Sequence, residues 1–342
     1  GWLTRPARKP RATADSMGSI ESALRGWRGL AEDLGEWAFY AVAVLLVLAL
    51  VKRFPYRLFA KTHHWMAAIY LVLAFHTLVL VQFTYWAQPV GWALAMLLAS
   101  GTVSAVWVLL GRVGAQRTAH GVIESLQTYP ALNVLETTLR MDPGWPGHRP
   151  GQFAFAMSNP KEGPHPYTLA SAWVPEDRRI TFITKALGDH TRRLPERLRV
   201  GDQVTVEGPY GCFTFDDGRA RQIWIGAGIG ITPFIARMKF LAQHEGQDAR
   251  PIDLFHPTSD VDPQAIEKLR ADSQAAGVVL HLLIDKQNGR LTGERLRAMV
   301  PGWKDASVWF CGPTAFGRAL RADLLAQGLE PEAFHQELFE MR

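Results

Sequence analysis

A glycine-rich segment carries the clearest chemical signal in the sequence. It reads IWIGAGIGITPF, so an apolar run leads into Gly226, Gly228 and Gly230, and a helix is expected from Thr232 and Pro233. Glycines permit a tight turn and close approach of the backbone to a diphosphate, while a helix N-terminus offers unpaired N–H groups. A glycine cluster alone could be an ordinary turn, but the flanking strand and helix patterns favour nucleotide binding.

A second candidate site consists of histidines within an apolar run. Residues 61–80 read KTHHWMAAIYLVLAFHTLVL, and His63 and His76 are 13 positions apart. Ring nitrogens are costly to leave unpaired in hydrocarbon, so a histidine in a membrane span suggests a function. In one helix the two would lie about 20 Å apart along the axis. The residues alone leave two interpretations of His76, a ligand or a hydrogen bond to a neighbouring helix, and His64 is interpreted as interfacial.

The composition indicates a membrane part followed by a water-soluble part. Hydrophobic residues make up 48% of the 342 residues, and residues 62–111 contain no Lys, Arg, Asp or Glu. Three helical spans are expected, at about 34–54, 62–84 and 91–111, each near the roughly 20 residues that a crossing requires. Residues 1–34 resemble a loop followed by an amphipathic segment. Basic residues after the first and third spans predict cytoplasmic ends there, and therefore a cytoplasmic soluble part.

The pattern of the later sequence predicts two further domains. Short alternating segments between residues 116 and 218 are typical of an antiparallel β-barrel. From residue 219 strands alternate with helices, which predicts a parallel sheet in a Rossmann-like α/β domain ending at residue 342. The expected fold class is therefore multidomain, with a partial bundle of transmembrane helices at 35–115, the β-barrel and the α/β domain.

Composition also excludes some classes of function. The net charge is +5 without a basic run interleaved with aromatics, which argues against nucleic acid as a partner. Cys212 and Cys311 are too far apart in sequence for a metal cluster, and two cysteines make no disulfide framework. The chain begins at Gly1 without a visible signal peptide, so we interpret it as a fragment lacking its natural N-terminus. The sequence does not predict an oligomeric state.

Residues from about 117 to the end resemble, in order, the ferredoxin-reductase type of FAD/NAD(P)H module in the version found in ferric reductases and NADPH oxidases. The first shared motif is HPYTLASA, residues 165–172. The resemblance implies that Tyr167 lies against the flavin and that the Thr168 hydroxyl lies near its N5. His165 stands where simpler members have arginine, and Pro166 and Ser171 complete the implied FAD site.

A second motif, KALGDHT, resembles the basic residue and Gly-Asp-aromatic-Thr element of that family. The resemblance implies that Lys185 neutralises the FAD diphosphate and that Thr191 hydrogen-bonds to it, with Gly188 between them. His190 replaces the usual tryptophan, so a stacking role there is in doubt.

Two further elements resemble the nicotinamide side of the family's site. The segment FCGPTAF implies that Cys311 lies beside the transferred hydride, followed by Gly312 and Pro313. A lone cysteine ending a strand is otherwise a small hydrophobic residue. Phe339 would match the terminal aromatic that covers the flavin, or be an edge-strand residue. Ser259 stands about where arginine often binds the 2′-phosphate of NADPH, so the choice between NADPH and NADH stays open.

The family resemblance implies that His63 and His76 are ligands of haem iron. Its membrane branch binds two b-type haems through histidine pairs from two helices, and the partner histidines come from an earlier helix that is absent from this sequence. The expected function is a membrane oxidoreductase that passes electrons from NADPH or NADH through FAD and haem b to ferric chelates or oxygen. Two alternatives are a haem-free, membrane-tethered flavin reductase that donates electrons to a protein partner, and a non-enzymatic redox sensor.

Overall fold

The structure, a computed structural model, describes residues 19–50, 56–160, 162–244, 246 and 248–337. The chain divides between Val113 and Gly114 into two compact units. In the described residues the first unit is helical, and the second is built on two β-sheets.

The α-helices described in the first unit follow the apolar pattern of the sequence. They are α1 Ser19–Gly26, α2 Arg28–Leu50, α3 Tyr56–Leu80 and α4 Pro89–Leu109. α4 begins with a proline, whose missing N–H has no partner to lose in the first turn. It is followed by Gly111 with φ 64°, a left-handed conformation that favours glycine after a helix.

Helix α2 differs from the prediction, which divided the chain at residue 34. Its buried residues Ala31, Gly35 and Ala38 recur at helical spacing on both sides of that point. Because one face continues through residue 34, the end of the amphipathic segment and the apolar segment form a single helix.

Two helices, α2 and α4, are long and apolar enough to cross a membrane by length and composition. Within α3, the described residues include a shorter apolar stretch, His64–Leu80. Trp37 and Trp92 are 74% and 69% exposed. Core helices and signal sequences can share such lengths and compositions, so the expected three-span bundle is not supported and membrane insertion stays a proposal.

Helix α3 packs against α2 and α4, and glycines make the close approaches. A Cβ on Gly101 of α4 would lie 1.9 Å from the Tyr70 hydroxyl oxygen, so only glycine leaves room for that phenol. The Tyr70 hydroxyl lies 3.3 Å from the Leu97 carbonyl oxygen and donates to it.

The second unit begins with an antiparallel sheet, as predicted. Its strands are β1 Thr118–Tyr129, β2 Val134–Met141, β3 Phe153–Met157, β4 His165–Thr168, β5 Arg179–Lys185 and β6 Gln203–Tyr210, and α5 Asp189–Arg197 lies between the last two. The strand order is β4-β3-β6-β1-β2-β5. A bridge between Leu169 and Phe182 joins the two outer strands and closes the sheet into a barrel. Its interior is filled by side chains such as Ile123, Leu139 and Val206, each at most 1% exposed.

The rest of the second unit is a parallel α/β domain, also as predicted. In chain order it contains β7 Arg221–Gly226, α6 Thr232–Gln243, β8 Ile252–Thr258, α7 Pro263–Ala275, β9 Val279–Ile284, α8 Asp285–Asn288, α9 Gly293–Met299, β10 Ala306–Cys311, α10 Thr314–Ala326 and β11 Phe334–Glu337. The strand order is β11-β10-β7-β8-β9, with all pairs parallel.

The order of the parallel strands defines a ligand position. From β7 the chain moves outward through β8 and β9, then returns to place β10 on the other side of β7. In open α/β sheets ligands bind at the carboxyl ends of the strands, where the order reverses. Here Gly226 and Cys311 end the two adjacent strands and are register partners.

Candidate cofactor site

The glycine turn lies at the reversal point of the parallel sheet. Gly228 has φ 55°, and α6 begins at Thr232 with Pro233 in its first turn. A Cβ on Gly230 would lie 2.2 Å from the Cys311 carbonyl oxygen, so any larger residue would push the turn away from β10. The turn therefore has the geometry expected for close approach of a diphosphate.

Cys311 is fully buried beside this turn. Its carbonyl oxygen accepts a 2.9 Å hydrogen bond from the Ala227 N–H, which fixes the turn to the end of β10. Burial raises the pKa of the Cys311 thiol well above its ordinary value. The sulfur is therefore a neutral thiol and not a thiolate nucleophile. Gly312 and Pro313 follow it and lead into α10.

Glu337 is a site residue that the sequence analysis missed. It pairs in register with Cys311 across β10 and β11. Burial raises the pKa of Glu337 to about 7, and its Oε2 has no hydrogen-bond partner among the described residues. Phe339, two residues later, lies outside the described residues, so its flavin role stays a prediction.

The first flavin motif lies on β4, at an outer position of the antiparallel sheet. Tyr167 pairs with Ala154 of β3, and its ring lies 5.7 Å from that of Phe182. Burial, and secondarily the Glu162 carboxylate, raise the pKa of Tyr167, so the phenol keeps its proton. Pro166 precedes it on the strand, and Thr168 is buried at the strand end.

Ser171, the last residue predicted from that motif, is buried within the barrel. Its Oγ accepts a 3.1 Å hydrogen bond from the Thr181 N–H. His148 lies on its other side and hydrogen-bonds to the Ser171 carbonyl oxygen at 2.8 Å. These contacts indicate that Ser171 holds the end of the motif in place.

A hydrogen-bonded group of side chains joins the two flavin motifs. The rings of His165 and His190 stack with centroids 3.7 Å apart and planes inclined by 13°. The other contacts of His190 are a 2.9 Å hydrogen bond from Nε2 to the Tyr167 hydroxyl and a hydrogen bond from Nδ1 to the Glu162 carboxylate. The residue that departs from the family pattern is thus the centre of this group, a role that sequence spacing alone could not indicate.

The second flavin motif forms the start of α5. The Thr191 Oγ1 accepts hydrogen bonds of 3.0 Å from the Leu187 and Gly188 N–H groups and donates to the Gly188 carbonyl. The predicted diphosphate ligand is therefore engaged in helix capping. A Cβ on Gly188 would meet nothing within 4 Å, so there is open space for a cofactor beside the turn.

Lys185 is the last residue of β5, and its ammonium group lies near the parallel α/β domain. Its Nζ lies 2.9 Å from the Asp260 carboxylate, which follows β8. Lys185 lowers the pKa of Asp260, so this carboxylate is charged at neutral pH. Lys185 is the basic residue that the flavin motif predicts, and its partner was not foreseen.

A cleft lies between β2, β5 and the carboxyl ends of the parallel strands. Lys185, Gly228, Thr258 and Asp260 are among its lining residues. His256 supports its wall through a 2.6 Å hydrogen bond from Nδ1 to the Gly226 carbonyl oxygen. Burial lowers the pKa of His256, so it is a neutral donor there.

Thr258 and Arg290, two residues that could contact a 2′-phosphate, differ in their contacts. Thr258 donates to the Asp260 carbonyl oxygen at 2.9 Å. Arg290 has an 88% exposed side chain whose nearest carboxylate, that of Asp285, lies 3.9 Å away. The charged group beside the end of β8 is instead the Asp260 carboxylate.

The histidines of the first unit are only partly described. The side chain of His63 lies outside the described residues. His76 Nδ1 lies 2.7 Å from the Ala31 carbonyl oxygen of α2, so it carries the hydrogen and leaves the lone pair of a neutral ring on Nε2. A Cβ on Gly35 would lie 2.0 Å from this Nδ1, so the glycine makes the contact possible. The geometry fits one imidazole ligand or a hydrogen bond between helices.

Known proteins resemble part of this chain in sequence. No family model matches the chain. The flavohemoprotein of Oceanobacillus iheyensis is 25% identical over 188 residues, 51% of this chain and 46% of that protein. The electron transfer component of 2-halobenzoate 1,2-dioxygenase from Burkholderia cepacia is 24% identical over 217 residues, 60% of this chain and 63% of that protein. The chain thus spans about half to just under two thirds of these relatives.

Solved structures share the fold of the second unit. Amycolatopsis cytochrome P450 reductase has a TM-score of 0.56 at 21% identity, covering 65% of this chain and 70% of that one. The FAD/NAD-binding domain of nitric oxide dioxygenase from Vibrio cholerae has a TM-score of 0.56 at 20% identity, covering 65% and 98%.

The fold and the sequence likeness together define the class of the second unit. It shares its fold with ferredoxin-reductase-type FAD/NAD-binding modules and is similar to them in sequence, in keeping with the sequence motifs. These relatives give no support to the haem-binding transmembrane domain that was expected before it.

Proposed function

We propose that the chain is an NAD(P)H-dependent FAD oxidoreductase that passes electrons to a protein partner. The curated relatives support this, because they include an electron transfer component of a dioxygenase and the reductase subunit of stachydrine N-demethylase from Rhizobium meliloti. This is the flavin-reductase alternative from the sequence, and it fits these relatives better than a haem-containing reductase does.

One observation carries the proposal. The glycine turn at the start of α6 lies against Cys311, where the strand order reverses, and the cleft beside it reaches Lys185 of the second flavin motif. Nucleotide-binding and flavin-binding elements therefore share one cleft.

Each part of the site has a separate task in this proposal. FAD, when bound, supplies the chemistry that converts a two-electron hydride donation into single-electron transfers. The turn at Gly228 and the N-terminus of α6 bind a diphosphate, and Lys185 neutralises phosphate charge. Tyr167 provides an aromatic wall for the flavin. Cys311, as a neutral buried thiol, excludes water beside the nicotinamide position.

The first test is spectroscopic. Purified protein should show an oxidised flavin spectrum after reconstitution with FAD, and anaerobic NADH or NADPH should bleach it. Absence of FAD binding, or binding without bleaching, would reject the proposal and favour the sensor alternative.

The second test concerns the electron acceptor. After bleaching, electrons should pass faster to an iron–sulfur ferredoxin or to cytochrome c than to a ferric chelate or oxygen. The reverse order, with superoxide dismutase used to detect superoxide, would favour the small-molecule acceptors that the sequence first suggested.

A second candidate, a membrane reductase with haem b, is favoured by one observation. The Nε2 of His76 keeps a lone pair in an apolar helix beside two helices of membrane-spanning length. In that candidate His63 and His76 bind haem iron, and the FAD and nucleotide domains face the cytoplasm.

The haem candidate has its own test. A reduced-minus-oxidised spectrum of the protein in detergent should show b-type bands, and these should fall in His76→Leu while His64→Leu retains them. A spectrum without such bands would reject haem and leave the flavin reductase untouched.

A further inference from the structure

The group around His190 contains a carboxylate, an imidazole and a phenol in hydrogen-bonded series. Glu162 comes from the loop between β3 and β4, His190 from α5, and Tyr167 from β4. The outer carboxylate oxygen of Glu162 is held by Arg197 of the same helix as His190. Three elements of the barrel thus meet at one imidazole ring.

The charges of this group define the direction of its hydrogen bonds. The Arg197 guanidinium holds the pKa of Glu162 at about 2, so Glu162 can only accept a hydrogen bond at neutral pH. The His190 Nδ1 must therefore be the donor, and in the neutral ring Nε2 becomes an acceptor. The Tyr167 hydroxyl, which lies 2.9 Å away, donates to that Nε2.

We propose that Glu162 and His190 are positioning residues that fix the proton of the Tyr167 hydroxyl on the His190 side, so that this phenol meets bound FAD as a hydrogen-bond acceptor. The same logic operates where a buried carboxylate selects the tautomer of a histidine beside a hydroxyl. The assignment rests on the proposed function, because it takes Tyr167 as the flavin-facing aromatic. A ribityl hydroxyl or a ring N–H of the cofactor is the kind of donor that this oxygen would accept.

The stack of His165 on His190 adds a constraint on ring orientation. At 3.7 Å and 13° the two rings are in face-to-face contact, so His190 cannot turn without displacing His165. The His190 ring is therefore held by the His165 stack on its face, by Glu162 at Nδ1 and by Tyr167 at Nε2.

The first experiment reads the tautomer and needs no bound cofactor. Histidine-selective ¹⁵N NMR of the apo-protein should show His190 as the Nδ1–H tautomer, with its signal assigned by its loss in His190→Phe. In Glu162→Gln the amide can also donate, so the Nε2–H tautomer should gain population. Glu196→Gln, an exposed change on the same helix, should leave the signal unchanged. An Nε2–H tautomer in the wild-type protein would overturn the proposal.

The second experiment measures the FAD dissociation constant in a double-mutant cycle. His190→Phe keeps a ring against His165, and Tyr167→Phe keeps a ring against the flavin, so each should weaken FAD binding by about two- to tenfold. If the hydrogen bonds from Glu162 through His190 to Tyr167 act as one unit, the double variant should bind FAD no more weakly than either single variant. Additive losses, or unchanged binding in both single variants, would overturn the proposal.

The two experiments distinguish this inference from the proposed function. If the wild-type protein binds no FAD, the proposed function fails, and the tautomer measurement still reports on the hydrogen-bond chain. If FAD binds and is bleached by NADH while the cycle is additive, the proposed function stands and only the role of Glu162 and His190 fails. Thermal unfolding of each apo-variant checks that the barrel still folds.

Discussion

The Lys185 ammonium and the Asp260 carboxylate form a 2.9 Å ion pair across the cleft of the second unit. Lys185 ends a barrel strand and Asp260 follows a parallel strand, so the pair joins the flavin-binding and nucleotide-binding halves. In the proposed function both groups would also meet phosphates or ribose. Binding of either cofactor must therefore compete with this pair or use it.

We expect Lys185→Met to weaken FAD binding, because it removes the positive charge assigned to the diphosphate. A charge-assisted hydrogen bond of this kind contributes about 1.5–3 kcal/mol, or roughly tenfold or more in the dissociation constant. Fluorescence titration of the apo-protein measures it. Lys304→Met, at an exposed position, is the matched control. Equal affinities for FAD in the two variants would contradict the role of Lys185.

Asp260 should make the protein prefer NADH. A carboxylate after the second parallel strand can accept a hydrogen bond from the ribose 2′-hydroxyl, whereas it repels a 2′-phosphate. Asp260→Ser should raise kcat/KM for NADPH relative to NADH by about tenfold. The exposed change Asp305→Ser should leave the ratio unchanged. A wild-type preference for NADPH would show that the positive charge of Lys185 dominates instead.

Gly230→Ala should disrupt nucleotide binding, because its Cβ would lie 2.2 Å from the Cys311 carbonyl oxygen. The turn must move, and we expect a loss of about 1–3 kcal/mol in unfolding free energy and a raised KM for NADH. Denaturant unfolding and steady-state kinetics measure the two effects. Gly218→Ala is the control, since its Cβ would meet nothing within 4 Å. Identical behaviour of both variants would refute the steric argument.

The unfolding free energy should depend on pH through the titration of Glu337. Its folded pKa is raised by burial from 4.5 to about 7. A raised pKa contributes stability that is present below about pH 4.5 and is lost as the pH rises through about 7. Glu337→Gln should therefore reduce the fall in stability between pH 5 and pH 8 by up to about 3 kcal/mol. Denaturant unfolding at both pH values measures this, and an unchanged slope would place the carboxylate in water.

In the first unit, Gly35→Ala should displace His76 from the Ala31 carbonyl, because the new methyl would lie 2.0 Å from its Nδ1. We expect a lower melting temperature in detergent, and the loss of any b-type haem bands that the wild-type protein shows. Gly29→Ala lies on the same helix with nothing within 4 Å of its Cβ, and should have neither effect. If Gly29→Ala and Gly35→Ala melt alike, the contact does not order the helices.

The sequence predicted much of the fold because its signals were local. Alternating apolar residues predicted the strands of the barrel, and the glycines before Thr232 predicted the turn and the start of α6. The resemblance supplied Tyr167 and Lys185. It could not supply their partners: Asp260 is 75 positions from Lys185 in sequence, and only the fold brings them together.

The expectations for the first unit rested on weaker signals. Apolar composition indicated spans, but it did not show that one buried face of α2 continues on both sides of residue 34. The haem hypothesis depended on family likeness and on a spacing of two histidines. His190 shows the opposite case, since its departure from the family motif has a structural explanation in its contacts with Tyr167 and Glu162.

The bridge between Leu169 and Phe182 limits how a partner can be recognised. It pairs the residue after β4 with one residue of β5, so at this point of the described antiparallel sheet the backbone is not offered to a strand from another protein. Docking at this place would then depend on side-chain shape and charge. Such surfaces change by point substitution without refolding the barrel, which would let one reductase scaffold serve different electron acceptors.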